Sequence, residues 1–417
     1  MSKKYFPIKT ETACQLKWTW STVRLYNGMT SSCHRASFSK ITTDNFDSFH
    51  NTPAQLEARQ IMLKGQWPMA GCEYCKNIED AGGRSDRMMQ LEVPNLTPPE
   101  LDTDPEAIIV TPRILEIYFD NVCNMKCIYC WDGFSSQIQQ ENKKYGRFEK
   151  DGVVIDNRAI KVDNIVELTE KFWQWMDKNS TTLRRFHILG GEPFFQRQFD
   201  QCLTFLSTHY NPELELNIIS NLKVPSKRLR DYIESIKLLV DEKRIKRFEL
   251  TSSIDCFGPE QEYVRNGLDL EQWRENFQYL ADQKWITLNI NQTLSGLTMK
   301  TIPDLLKFIN PLRVNRKIGH FFSTVVMTDK FLHPEIFGPN YFDSTFEEIY
   351  ANMPTDTWQQ KEADKYMRGI QAQLNASKRD QGLIDQLATY LTELDRRRNT
   401  DWRKTFPWLT LEVTHVV

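Results

Sequence analysis

The chain has 417 residues, 40% of them apolar and 26% charged, with 53 Lys plus Arg against 55 Asp plus Glu and a formal net charge of −2. This composition suits a folded chain of two or three domains, excludes a collagenous or low-complexity one, and argues against a nucleic-acid binder held by bulk positive charge. No apolar run reaches the ~18–20 residues of a membrane helix, and MSKKYFPIKTETACQ lacks the apolar stretch of a secretory signal, so no membrane association and a cytoplasmic location are expected.

Residues 1–92 are rich in Trp, Cys, Ser, Thr and Asn, show little periodicity, and are expected to form a small cysteine-rich domain. Residues 93–112 lie in EVPNLTPPELDTDPEAIIVTP, whose five prolines mark a linker. A strand is predicted over 113–120, a helix over 163–178, a strand over 184–190 and a helix over 199–209. The alternation continues with a strand over 213–221, a helix over 226–242, a strand over 247–255 and a helix over 270–283. It ends with a strand over 285–295, a short helix over 301–310 and a strand over 319–327.

Six strands alternating with helices predict parallel β/α units with right-handed crossovers. Six units are fewer than a closed barrel needs, so the expected class is α/β: an open six-stranded (β/α)6 partial TIM barrel over 113–327. Residues 137–160 read as an exposed polar insertion with no assigned role. Residues 328–417 read as mainly helical and charged, covering the barrel, with a strand signal only in the final PWLTLEVTHVV. The run LDRRRNTDWRK (394–404) reads as a solvated helix end.

Nine cysteines are too few, and odd in number, for a disulfide scaffold. Three of them, Cys123, Cys127 and Cys130, stand in FDNVCNMKCIYCWD directly after the first predicted core strand. Three thiolates on one loop can ligate three irons of a 4Fe-4S cubane, where an ordinary electron-transfer cluster takes four. Structural zinc would want four closed ligands, and no His stands beside the triplet.

This loop resembles the signature of the radical S-adenosylmethionine (SAM) superfamily. The resemblance implies that SAM chelates the open iron through its amino and carboxylate groups. One electron then cleaves it to methionine and a 5′-deoxyadenosyl radical. It also implies an aromatic residue near the adenine, the place of Tyr129, and an external flavodoxin- or ferredoxin-like electron donor.

A second motif, ILGGEPFF, ends the second core strand. Gly190 and Gly191 allow close backbone approach, and Glu192 places an acceptor at a strand's C-terminal end. With Pro193 the motif resembles the family's GGEP, which implies contact with the methionine ammonium of SAM. Ser220 and Asn221 end the third strand and could bond a ribose. Ser253 and Asp255 share a face by period two at the end of the fourth. Arg265 in EYVRNG could meet the SAM carboxylate or a substrate anion. For each of these, turn caps and satisfied strand polar groups are the competing reading.

Upstream, Cys14, Cys33 and the C-x-x-C pair Cys72 and Cys75 could close a second cluster or a zinc site. With Trp18, Gly28, Gly71, Glu79, Gly83, Ser85 and Arg87 they resemble the auxiliary-cluster domains called twitch or SPASM, implying a second 4Fe-4S cluster. Two features depart from that pattern: the segment precedes the core, and His34 stands where a second adjacent Cys is common, as an alternative ligand. Cys202 reads as a core thiol. Cys256 reads as core or support, with a hydrogen-donor role as the alternative.

The expected function is therefore a radical SAM enzyme that takes hydrogen from a small-molecule or peptide substrate. A radical SAM nucleic-acid-modifying enzyme and a non-catalytic iron–sulfur or zinc module are the alternatives.

Overall fold

The computed structural model describes residues 5–413 apart from 34, 70, 150–151, 155–160 and 325–328. The chain is mixed α/β and divides into two compact units, one of residues 1–121, 159–218 and 233–248, the other of 122–158, 219–232 and 249–417.

Among the described residues the first unit contains β1 (Trp20–Arg24), β2 (Met29–Ser31), β3 (Ser39–Lys40), β4 (Ile114–Tyr118), β5 (Arg185–Leu189) and all but the last two residues of β6 (Glu215–Ser220). Their order is β6-β5-β4-β1-β2-β3. The pairs β6–β5, β5–β4 and β4–β1 are parallel, and β1–β2 and β2–β3 antiparallel. The helices Ile165–Asn179 and Arg197–Thr208 make the crossovers from β4 to β5 and from β5 to β6. Leu168, Phe172, Trp175 and Met176 recur at i, i+4, i+7 and i+8, so one stripe of the first helix is apolar and buried. Phe172 meets Phe119 at 5.2 Å and Phe186 at 6.2 Å, which seals one face of the sheet. By strand alternation the opposite face carries Thr22, Glu116, His187 and Asn217 in register.

The N-terminal segment is fastened by buried polar groups rather than by periodic packing. Arg59, fully buried, donates to the carbonyls of Lys17 (2.7 Å), His50 (2.8 Å) and Ile108 (2.6 Å). Trp18 Nε1 donates to Ala107 O at 2.9 Å. The proline-rich stretch is thereby an ordered strap: its Leu101 and Val110 join a core with Phe6, Leu16, Trp18 and Met62.

In the second unit β7 (Arg247–Ser253), β8 (Thr287–Leu294) and β9 (Ile318–Thr324) pair in parallel, joined by the helices Leu270–Asp282 and Ile302–Arg313. Residues 325–327 of the last predicted strand lie outside the described residues. The helices Asp343–Asn352, Trp358–Ala376 and Gln381–Arg398 follow and share one core, with Phe346, Met367, Leu391 and Trp402 buried in it.

Three expectations are corrected. The polar insertion is not a plain exposed loop where it is described: Ser136–Tyr145 is a helix, capped by the Ser135 hydroxyl accepting from Ile138 N, and a hairpin pairs Arg147–Glu149 with Gly152–Val154, while 150–151 and 155–160 lie outside the described residues. The C-terminal strand signal fails, because Pro407–Thr410 is a short helix with Pro at its first turn; residues 414–417 lie outside the described residues. The run 394–404 is not simply solvated, since the side chains of Arg397 and Arg398 are 2% and 4% exposed. No helix among the described residues is long and apolar enough to cross a membrane.

Candidate cofactor site

The three-thiol loop belongs to the second unit and is pinned along its length. Cys123 N donates to Ser136 Oγ (3.2 Å), and Ser135 Oγ donates to Met125 O (2.7 Å). Lys126–Cys127 form a short antiparallel ladder with Arg265–Asn266, in which Cys127 stands opposite Arg265. Ile128 N bonds Val264 O at 2.9 Å, Tyr390 Oη donates to Ile128 O at 2.5 Å, and Cys130 N closes a turn onto Cys127 O at 3.0 Å. The three thiols are half-buried, whereas Cys202 and Cys256 are fully enclosed. Burial pushes the Cys127 thiol up, against the pull of Arg265 and Arg398. It pushes Cys130 up to about 12, with the neighbouring Cys127 adding to the rise. Thiols so protonated ionise when a metal displaces their protons.

Behind the loop lies a buried charged knot. Arg265 Nε and Nη2 donate to Asp255 Oδ2 and Oδ1 at 2.9 and 2.8 Å, and Tyr129 Oη donates to Oδ2 at 2.5 Å. Burial works against the Arg265 charge, but Asp255 outweighs it and holds the guanidinium proton more tightly than usual. Thr293 N and Gln292 Nε2 bond the Asp255 carboxylate and carbonyl at 2.9 and 2.7 Å. Arg265 is thus engaged by a carboxylate of its own chain. Ser253 stands two residues before Asp255 at the end of β7, and its neighbour Ser252 accepts from Trp273 Nε1 at 2.9 Å.

Asn221 serves the same loop, and Ser220 shapes the turn that carries it. Ser220 Oγ accepts from Leu222 N at 3.0 Å, in a residue with φ 56°. Asn221 Nδ2 donates to Asn124 Oδ1 at 3.0 Å and lies 4.0 Å from Cys123 Sγ. Asn124 in turn donates to Lys223 O at 2.7 Å. Tyr129, Asn221, Asp255 and Arg265, separated by up to 136 positions in the chain, therefore surround one cysteine loop.

The Gly-Gly-Glu-Pro motif lies in the first unit, directly after β5. Gly190 has φ 82°, and a Cβ there would stand 2.8 Å from Tyr118 Cδ1, so glycine is required. Glu192 is completely buried, and its Oε1 accepts from Phe194 N at 3.3 Å to start the turn at Pro193–Phe195.

Also in the first unit, Cys14, Cys33, Cys72 and Cys75 line one cavity together with Trp67 and Arg87. Glu79 is gripped by Arg87 and Ser85, which ties the helix Glu73–Asp80 to Asp86–Leu91. Gly71 has φ 84°, and a Cβ there would run into the backbone at Arg35 and Ala36. Burial pushes Cys14 up to about 12, with Cys33 and Cys72 adding to the rise. His34 lies outside the described residues. Among the described residues no three His, Cys, Asp or Glu side chains are grouped to hold a single metal ion.

Sequence reasoning missed Glu141, Tyr390, Arg397 and Arg398. Glu141 accepts from Lys126 Nζ at 2.9 Å and from Arg398 Nε and Nη2 at 3.1 and 2.8 Å. A signal existed: Ile384, Leu387, Leu391 and Leu394 form a buried helical stripe, and Arg398 continues it four residues on.

No family model matches the chain, and no curated protein matches it. Solved structures do. Streptococcus suis SuiB bound to S-adenosylmethionine is 14% identical over 74% of this chain and 63% of its own, with a TM-score of 0.34. Escherichia coli coproporphyrinogen III oxidase (HemN), a radical SAM enzyme, is 13% identical over 60% of this chain and 50% of its own, with a TM-score of 0.33. Native anSMEcpe with bound AdoMet is 12% identical over 60% of each chain, with a TM-score of 0.34. The chain spans between half and less than two thirds of the length of these structures. Likeness of this degree leaves the chemistry to the chain's own residues.

Proposed function

We propose that this chain is a radical SAM enzyme in which Cys123, Cys127 and Cys130 hold a 4Fe-4S cluster. The observation that supports it is the loop itself: three half-buried thiols on a backbone pinned by Ser135, Ser136, Val264 and Tyr390. The donor set fits the group. Three thiols without a fourth partner leave one iron open, which suits a chelating substrate rather than a closed structural ion.

The cluster, when bound, supplies one electron to SAM, whose cleavage yields methionine and a 5′-deoxyadenosyl radical able to take hydrogen from a small-molecule or peptide substrate. That electron comes from an external low-potential carrier of the flavodoxin or ferredoxin type. The chain's own residues then have distinct tasks. Asn221 holds Asn124 and so fixes the loop beside Cys123. Asp255 neutralises Arg265 and receives Tyr129, which sets the tyrosine ring between Ile128 and Cys130 in one orientation. Glu192, with Gly190, Gly191 and Pro193, is proposed to receive the SAM ammonium group, and Ser220 and Ser253 to contribute polar contacts to the nucleoside.

The same proposal includes an open (β/α)6 partial barrel over residues 113–327 and an auxiliary-cluster domain over 1–92. Four thiols about one cavity support a second 4Fe-4S cluster there.

The test is anaerobic reconstitution with iron and sulfide, reduction with dithionite, and quantification of 5′-deoxyadenosine from added SAM. The intact chain is expected to form it and Cys127→Ala to form none. Undiminished cleavage in that variant would overturn the assignment.

A further inference from the structure

The last long helix, Gln381–Arg398, reaches back onto the cysteine loop. Its Asp380 cap accepts from Leu383 N at 3.0 Å, and its buried stripe seats it in the core of its unit. Its final turn carries Arg396, Arg397 and Arg398, which complement the helix dipole. Arg396 pairs outward with Glu393. Arg397 turns inward, bonding Glu393 through Nε (2.7 Å) and Gly146 O through Nη1 (2.9 Å). Arg398 is held in a two-pronged grip by Glu141, which also receives Lys126, the residue before Cys127.

Arg398 lines a cavity of about 120 Å³ together with Cys127 and Cys130. Its Nη1 is buried without a hydrogen-bond partner among the described residues. One carboxylate, Glu141, thus meets two cations, Lys126 and Arg398, immediately beside the loop. The other charges at this cavity are Arg147, near Asp132 at 3.9 Å, Arg397 on Glu393, and Asp329.

We propose that Arg398 is a positioning residue that sets how readily a cluster on Cys127 and Cys130 accepts an electron. This rests on the cluster reading above. Adding one electron to a cluster makes it more negative, and a guanidinium nearby stabilises the reduced form; a buried charge is little screened by salt. The electron comes from an external one-electron reductant, and no proton or bond changes hands at Arg398. Glu141 opposes Arg398 and holds it in place, so the two residues affect the same equilibrium with opposite signs.

The experiment uses the reconstituted full chain without SAM, poised at fixed potentials, with the reduced cluster read by electron paramagnetic resonance and iron measured in every sample. Arg398→Met is expected to lower the ratio of reduced to oxidised cluster about tenfold, equivalent to about 59 mV for a one-electron couple. Arg398→Lys should stay within about threefold of the unaltered chain. Glu141→Gln, which removes the opposing carboxylate, should shift the ratio upward. A merely structural role would move Met and Gln variants the same way, and that result, or no shift in either, overturns the proposal. Should Arg398→Met fail to retain iron, the direction of the Glu141→Gln shift decides. Absence of any cluster in the unaltered chain would instead defeat the underlying reading.

Discussion

Arg265 and Asp255 form a two-pronged ion pair at 2.9 and 2.8 Å, with Arg265 6% exposed and Asp255 fully enclosed. Through the ladder at Cys127 the pair is joined to the backbone of the cysteine loop. Losing one partner of a buried pair strands the other charge. Asp255→Asn is therefore expected to cost about 3–5 kcal/mol of stability, measured by urea unfolding. The double variant Asp255→Asn with Arg265→Met should recover part of that loss, and equal losses in single and double variants would show that no stranded charge is involved.

The two thiol groups should be separable by iron counting. Two cubane clusters give about eight irons per chain, and a zinc site in place of the second gives about four with one zinc. Cys72→Ala with Cys75→Ala should remove only the N-terminal metal, leaving SAM cleavage competence at the loop to be read independently. Cys130→Ala should do the reverse. Loss of all iron from either variant would contradict two independent sites.

Glu192 offers a buried acceptor whose carboxylate already starts the turn at Pro193. Glu192→Gln keeps the shape and removes the charge. If it receives the SAM ammonium, affinity should fall roughly 10–100-fold, the value of a charged hydrogen bond. Equilibrium binding of SAM to the cluster-loaded chain measures this, with iron content unchanged. Unaltered affinity would remove Glu192 from the site.

Glu116 supplies a pH signature. Burial pushes its carboxyl up to about 7, although Thr22 donates to it at 3.0 Å. A carboxyl whose folded pKa lies above its unfolded value binds more protons when folded, so stability falls as pH rises between the two. The loss should begin near pH 4.5 and approach completion a little above pH 7, amounting to about 3–4 kcal/mol at most. Glu116→Gln should abolish this slope and be the more stable chain at pH 8. Parallel pH profiles for both chains, measured by denaturant unfolding, would refute it.

Except for β1, which lies in the segment read as aperiodic, the parallel strands were legible because their physics is local. Apolar runs such as ILEIY and RFHIL become strands, and stripes such as Leu168, Phe172, Trp175 and Met176 become crossover helices. Gly190 could be read as obligatory for close approach, although its contact with Tyr118 could not be named. Residues 137–148 were misread because polarity was taken for exposure. Glu141 is 8% exposed there, since Lys126 and Arg398 satisfy its charge. The terminal PWLTLEV was misread because β-branched and aromatic content outweighed a proline suited to a helix's first turn.

From order and spacing alone, the chain determined its alternation of strands and helices, the triplet of thiols after β4 and the glycine turn after β5, because backbone propensity and short-range spacing act over a few residues. Tertiary structure alone decided that β1 lies parallel against β4, that Asp255 claims Arg265, and that Arg398 arrives beside Cys127. The first depends on which distant strand edge pairs its backbone, and the other two on which distant charge satisfies a buried one, choices made by packing once the chain has closed on itself.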